Sequence, residues 1–455
     1  MSKNIIKGKC VDISSEGKGI IKTVYGVIFV DALLLGEEAE IEVTYQRKGV
    51  AYGKIIKLLS KSPDRINPVC PVSTACGGCV FQNASYEYEL RYKKHKIEED
   101  LKRIGHIENI KVNDVIGMDN PHHYRNKIQV PFAKDHNRII YGFYKANTHK
   151  IIPIKSCDIE DEIAGEILKN IADLMDKYHI DPYNEDSRSG VIRHILIRTS
   201  LSTKEVMVVI VSNSSTFPGR NNFVKELVNR CPNISTVIQN TNQRDTNVIL
   251  GDKEKTLYGK GFISDEILGL KFNISAKSFF QVNPIQVQKL YKAALDAAKI
   301  SKDDTVLDAY AGVCTIGLLA AKYAKKVTSV EVVHSAVING KNNAKMNNIS
   351  NIEIIEADCT EYINNNLPKF DVVIMDPPRK GSTPEFLNAI KKIEPKKIVY
   401  ISCEPSTLAR DLEYLKEKYE IKTVQPIDMF PRSFHVETIL CLSLKDTKPT
   451  KMMKK

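Results

Sequence analysis

A chain of 455 residues, 42% hydrophobic and 27% charged, has the composition of a soluble globular protein and the length for about three domains. Its 66 Lys and Arg against 55 Asp and Glu give a net charge of +11, which favours a polyanionic partner, nucleic acid first. No apolar run nears the roughly 20 residues that span a bilayer, and Met1 to Gly8 lack the apolar core of a signal peptide. A cytoplasmic location without a membrane partner is therefore expected. In that reducing compartment ten cysteines argue against a disulfide framework and for metal, cluster or catalytic use of a few.

Residues 5–59 alternate short strand-like runs (Gly26-Val-Ile-Phe-Val30, Ala39-Glu-Ile-Glu-Val43, Tyr52-Gly-Lys-Ile-Ile-Lys57) with glycine turns, the pattern of a small β-barrel. Lys18, Lys22, Arg47, Lys48, Lys54 and Lys57 decorate it. The order Glu16-Gly-Lys-Gly-Ile20, Val30-Asp-Ala-Leu-Leu-Leu-Gly-Glu37, Tyr52-Gly-Lys-Ile55 resembles the TRAM domain, an OB-like barrel that implies single-stranded RNA binding. Pro63 to Pro71 reads as a linker.

Cys70-Pro-Val-Ser-Thr-Ala-Cys76-Gly-Gly-Cys79 then places three thiols within ten residues. Thiolates aimed at one centre repel unless a soft metal or an iron–sulfur cluster neutralises them. Cys157, after an extended Pro-containing segment, is the candidate fourth ligand, and zinc is the rival occupant. Ser85 to Gly105 reads as a helix with Ile97, Leu101 and Ile104 on one face. Arg91, Lys93, Lys94, Lys96, Lys102 and Arg103 load the rest of it, either as a solvated face or for RNA backbone contact. His123-Tyr-Arg-Asn-Lys-Ile-Gln-Val130 opens a β-rich stretch to about residue 270, in which Arg125 and Lys127 are candidate phosphate contacts or plain strand edges.

Asn283-Pro284 predicts a helix start. Strands and helices then alternate: Thr305–Tyr310, Lys326–Val332, Ile352–Asp358, Phe370–Asp376, Lys397–Ser402, Ile421–Ile427 and Val436–Leu444. That alternation predicts an α/β fold with a doubly wound, mostly parallel sheet. Its first βα turn, Asp308-Ala-Tyr-Ala-Gly-Val-Cys-Thr-Ile-Gly317, suits close approach by a ligand, and Glu331 ends the second strand where a ribose acid belongs. Cys314 stands where a pyrophosphate fingerprint wants glycine, so S-adenosylmethionine fits better than a dinucleotide. Asp376-Pro-Pro378 forms a rigid acidic lip beside the sulfonium. Arg379 replaces the aromatic residue that amino-group methyltransferases use, which points away from amino methylation. One strand over, Ile398–Ile401 runs into Ser402-Cys-Glu-Pro405, putting Cys403 at the same lip. Uracil C5 becomes nucleophilic only after something adds to C6, and a cysteine thiolate does that. A base must then take the C5 proton. Asp428-Met-Phe-Pro-Arg-Ser-Phe-His435-Val-Glu437 offers His435 and Glu437, of which Glu437 is the choice.

Together these stretches resemble the RNA uracil-C5 methyltransferase family. The match runs through Ser278-Phe-Phe-Gln-Val-Asn283, Asp308 to Gly312, Asp376 to Arg379, Ser402 to Pro405 and His435 to Glu437. The resemblance implies a class I S-adenosylmethionine-dependent fold, with Gln281, Tyr310, Glu331 and Asp376 holding that co-substrate. It further implies Cys403 as nucleophile, Glu437 as proton acceptor, and a [4Fe-4S] cluster on Cys70, Cys76, Cys79 and Cys157. It also implies a flipped uridine in folded RNA; cluster-bearing members act mainly on 23S rRNA, with the tRNA T-loop as the alternative. A non-catalytic RNA-binding assembly factor is the reading from another class. Three residues depart from the family: Cys314 for glycine, Glu404 for asparagine (a negative charge beside the nucleophile) and Arg432 for glutamine. The expected organisation is a barrel over 1–60, a central domain over 61–270, a methyltransferase domain over 271–445 and a disordered basic tail over 446–455, acting as a monomer.

Overall fold

The computed structural model describes residues 4–24, 26–136, 138–145 and 148–446. All of the basic tail over 446–455 except Asp446 lies outside the described residues.

Ile5 to Ser60 form a six-stranded, mostly antiparallel sheet around Ile21, Val30, Leu33, Ala39 and Ile41. Alternating burial along Glu38–Arg47 and Val50–Ser60 follows the period-two pattern of the sequence. This unit is fastened to the segment between it and the first long helix. Arg65 grips the buried Glu37 carboxylate with two bonds of 2.5 Å, and Leu34, Phe81, Ala84, Tyr88 and Tyr92 make a small core under it.

The helix Tyr86–Arg103 starts where Ser85 accepts the Tyr88 N–H, and Ile97 and Leu101 pack into a core shared with the C-terminal sheet. Its basic residues do not share one fate. Arg91, Lys102 and Arg103 are exposed, whereas Lys93 is fully buried and Lys96 is 7% exposed. The RNA-facing reading of those two lysines is therefore corrected: Lys93 turns inward to the buried carboxylates of Glu89, on the same helix, and Asp428, and Lys96 turns toward the half-buried Glu404.

A seven-stranded sheet comes next, with Ile192–Thr199 and Val206–Ser212 buried along their whole length. One face packs on the helix Ile163–Lys177. The other, through Leu196, Met207, Val209 and Ile238, shares a continuous core with the hairpin Ile263–Ile274 and the helix Gln286–Ala298.

The C-terminal sheet runs Ile352–Glu356, Lys326–Glu331, Thr305–Ala309, Val372–Met375, Lys397–Ser402, Glu437–Leu444, Tyr419–Ile427. The first five are parallel and Glu437–Leu444 is antiparallel to both its neighbours. Near-complete burial of Val372–Met375 and Lys397–Ser402 explains their unbroken apolar character, since helices cover both faces. Strand order reverses at Thr305–Ala309, the position where such sheets hold ligands. Among the described residues, no helix is long and apolar enough to cross a membrane.

Candidate active site and cysteine centre

The sheet register assembles the site. Ser402 lies opposite Thr438 on the antiparallel partner, so Cys403 and Glu437, one step further along each strand, face each other at the lip. Met375 pairs with Tyr400, which sets Asp376 at the same edge one strand away. The three groups feel one another. Burial pushes the Cys403 thiol up to about 12, and the charges of Glu437 and Asp376 add to this while Arg379 opposes it. Burial raises the Glu437 carboxyl, Asp376 raises it further and Arg379 lowers it; burial raises Asp376 as well.

Glu404 departs from the expected effect on the nucleophile. Its Oε1 accepts from the Ser406 hydroxyl at 3.1 Å and lies 3.7 Å from Lys96 Nζ. Lys96 also sits 5.5 Å from the centre of the Phe434 ring, beside His435. The extra negative charge is met by a buried lysine. His435 has its Nε2 3.3 Å from Arg379, and burial pushes its pKa down to about 4, with Arg379 adding to the effect.

The co-substrate candidates surround the switch point. Glu331 accepts the Gly312 and Val333 N–H groups at 2.7 and 2.8 Å, pinning the 308–317 turn to the strand end. Two bonds leave acceptor capacity on that carboxylate for ribose hydroxyls. Tyr310 takes a left-handed backbone (φ 61°), its hydroxyl 2.9 Å from Ser382 Oγ and its ring on Phe386. The Gln281 carbonyl accepts from Asn126 at 3.3 Å. Cys314 also has positive φ (60°), where glycine is usual. Its sulfur fits because Gly340 faces it: a Cβ there would lie 2.7 Å from Sγ.

Sequence reasoning missed two groups that act on the site. Tyr291 carries no signal in the sequence; burial raises its hydroxyl, with the Asp376 charge adding to this and the neighbouring Gln281 side chain opposing it. Arg379 served only to exclude another chemistry, yet its charge acts on both Cys403 and Glu437. Phe279, next to Phe280 in the same segment, is 71% exposed. A tyrosine at a helical period and an arginine after a proline pair carry no such signal on their own.

Cys70, Cys76, Cys79 and Cys157 line one cavity of about 290 Å3, together with Arg125 and Lys127. All four are free thiols. Burial raises Cys79 to about 11 and also raises Cys76 and Cys157. Such groups need a cation or cluster to stabilise their thiolates. The donor set fits a group that takes four sulfurs around its periphery. Among the described residues, no three His, Cys, Asp or Glu side chains converge closely enough to share a single metal ion.

The model of the family described as tRNA (uracil-5-)-methyltransferase matches residues 85–445. An uncharacterised RNA methyltransferase of Oceanobacillus iheyensis is 41% identical over 443 residues, 95% of each chain. One from Clostridium acetobutylicum is 42% identical over 441 residues, 96% of each. The crystal structure of the Pyrococcus abyssi tRNA (uracil-54, C5)-methyltransferase with S-adenosyl-L-homocysteine superposes with a TM-score of 0.78 at 25% identity, covering 96% of this chain and all of that one. The chain thus belongs to the tRNA (uracil-5-)-methyltransferase family and is an S-adenosylmethionine-dependent RNA (uracil-C5-)-methyltransferase.

Proposed function

We infer that the chain methylates C5 of one or more uridines in 23S rRNA, with Cys403 as nucleophile and Glu437 as base. The observation that carries this reading is the register that sets Cys403 opposite Glu437 with Asp376 at the same lip. Cys403 sulfur adds to uracil C6, and electron density moves to C5. S-adenosylmethionine, when bound, supplies the electrophilic methyl group that C5 takes up, its methyl–sulfur bond breaking with the electron pair kept by S-adenosylhomocysteine. Glu437 then accepts the C5 proton, the C6–S bond breaks, and its electron pair returns to sulfur. Gln281, Tyr310, Glu331 and Asp376 are assigned to hold the donor, and Tyr291 to fix Gln281. Arg379, positive beside Cys403, favours the thiolate.

The four cysteines are assigned to a [4Fe-4S] cluster. Their placement around one cavity supports this assignment. The barrel over residues 1–60 is assigned as a TRAM domain that adds RNA contacts, with a central domain over 61–270 and a methyltransferase domain over 271–445. The cysteine set supports 23S rRNA through the resemblance that carries it. The tRNA T-loop is the second reading, favoured by the likeness to the Pyrococcus abyssi enzyme.

The test is methyl transfer from labelled S-adenosylmethionine to unmodified 23S rRNA and tRNA transcripts, with nucleoside mass analysis, for wild type and Cys403→Ala. The expected result is 5-methyluridine in 23S rRNA with wild type alone. Product in tRNA only replaces the substrate. No product in either RNA with cluster-loaded protein returns the chain to an RNA-binding factor.

A further inference from the structure

A second cavity, of about 950 Å3, opens in the central sheet beside the cysteine cavity, and the methyl-transfer reading gives it no task. It originates in one proline. The strand Lys127–Asp135 pairs with Ile192–Thr199 as far as Pro131, opposite His194, and with Arg138–Tyr144 only from Phe132, opposite Tyr141. Proline has no N–H with which to continue a ladder. Past Tyr141 the neighbouring strand turns away, Phe143 and Tyr144 pairing only outward with Ile152 and Ile151. The cleft this leaves is floored by Gln129 and Pro131 and walled by Tyr144, His149, His194 and Asn247.

The walls are set in advance. Arg193, 5% exposed, holds the Glu185 carboxylate at 2.8 and 2.9 Å and donates to the carbonyls of Asn242 and Arg244. Asn242 in turn donates to the carbonyls of Val248 and Ile249, closing its loop. Both acids that line the cleft are paired, Glu185 with Arg193 and Asp245 with Arg188, so neither presents an uncompensated charge. His194 is nine-tenths buried, and its Nδ1 has no partner among the described residues. Burial holds its pKa down at about 4, so it offers a neutral hydrogen-bonding edge. The Tyr144 ring meets it edge-on at 6.3 Å, and Lys145 adds a cation to the lining. Aromatic faces, neutral amide and imidazole edges and one cation are what an unpaired nucleotide requires.

The cleft also lies on the route from the catalytic lip. Lys127, Gln129 and Pro131 share a face with their partners Arg198, Leu196 and His194. At the near end of that face Arg198 donates to the Ser278 carbonyl at 2.6 Å, holding the segment that carries Phe279 and Gln281. The far end lies about 13 Å along the strand. We propose that this cleft is a subsite for unpaired nucleotides flanking the target uridine, one base stacking on Tyr144 with its edge against His194 and Gln129. This deepens the RNA-methyltransferase reading and rests on it.

The test uses the full chain and single-stranded nonameric RNAs carrying one 4-thiouridine at successive positions, cross-linked and mapped by mass spectrometry. Cross-links to Tyr144 or His194 are expected from one register. Fluorescence anisotropy then compares wild type with Tyr144→Ala and Gln129→Leu, each first checked by melting temperature. Both variants are expected to bind the single strand roughly tenfold more weakly, with unchanged affinity for a nine-base-pair duplex and for S-adenosylmethionine. Cross-links confined to other segments, or variants that bind as wild type does, overturn the subsite. Wild-type methyl transfer is read in parallel. Transfer without cleft cross-links rejects the subsite alone, while cleft cross-links without transfer to any RNA keep it and reject the catalytic reading.

Discussion

The Cys403 thiol, pushed up to about 12 chiefly by burial even with Arg379 opposing the rise, is protonated near neutral pH, so the nucleophile is held in reserve until substrate acts on it. Below its pKa the thiolate fraction grows about tenfold per pH unit. Alkylation of Cys403 by iodoacetamide, followed on its peptide by mass spectrometry, should therefore rise about tenfold per unit between pH 7 and 9. Removing the opposing charge of Arg379, by Arg379→Gln, should slow alkylation at every pH in that window. A flat profile would mean that the thiol is already ionised. A second residue-scale case is the cysteine where the family has glycine. In an exposed helix Gly→Ala adds about 1 kcal/mol of stability. At Gly340 the new Cβ meets Cys314 Sγ at 2.7 Å, so Gly340→Ala should instead cost about 1–3 kcal/mol. The Cys314→Gly background should remove most of that cost, a coupling that a double-mutant cycle by chemical denaturation will measure.

At the scale of elements, the helix Tyr86–Arg103 shows where sequence patterns stop being informative. Its apolar stripe was legible because Ile97 and Leu101 recur at helical spacing. The burial of Lys93 was not, because beside Glu89 on its own helix its other partners come from the far end of the chain. Lys93 Nζ lies 2.6 Å from both Glu89 and Asp428 and donates to the Phe430 carbonyl at 3.2 Å. Tyr86 adds a bond to Asp428, and the Arg432 N–H donates to Glu89 at 2.8 Å. The helix thus braces the 428–435 segment that leads into Glu437. Cutting out the lysine alone leaves two buried carboxylates facing each other. Lys93→Met should cost about 3–5 kcal/mol, seen as a lower melting temperature. The triple change Lys93→Met, Glu89→Gln, Asp428→Asn should recover most of it, because no net buried charge remains. The parallel strands of the C-terminal sheet, by contrast, could be read directly, since strands buried on both faces are apolar throughout. The reversal of Glu437–Leu444 could not: an antiparallel strand enclosed between neighbours has the same apolar run.

Over the whole molecule, the cysteine loop and the catalytic edge are one connected structure, although most of the sequence lies between them and hides the link. The Val80 and Phe81 N–H groups, immediately after Cys79, both donate to the Arg432 carbonyl, at 2.7 and 3.2 Å. Arg432 has a left-handed backbone (φ 71°) and is 5% exposed, its guanidinium 5.8 Å from the centre of the Tyr86 ring. That geometry turns the chain toward His435 and Glu437. Motifs in the sequence named the cysteines and the base separately; only tertiary hydrogen bonding joins them. If whatever group the four thiols hold keeps their loop folded, removing a ligand should release the Arg432 carbonyl and loosen the segment before the base. Cys79→Ala should then raise amide hydrogen exchange in residues 428–437 as well as in 70–82, and lower the methylation rate in proportion. The N-terminal sheet core around Ile21, Val30 and Ile41 lies outside this chain of hydrogen bonds, so its exchange should stay as in wild type. Faster exchange confined to 70–82, with 428–437 still protected, would show that the Lys93 brace alone positions Glu437. The cysteine centre would then act on its own face of the molecule rather than on the catalytic edge.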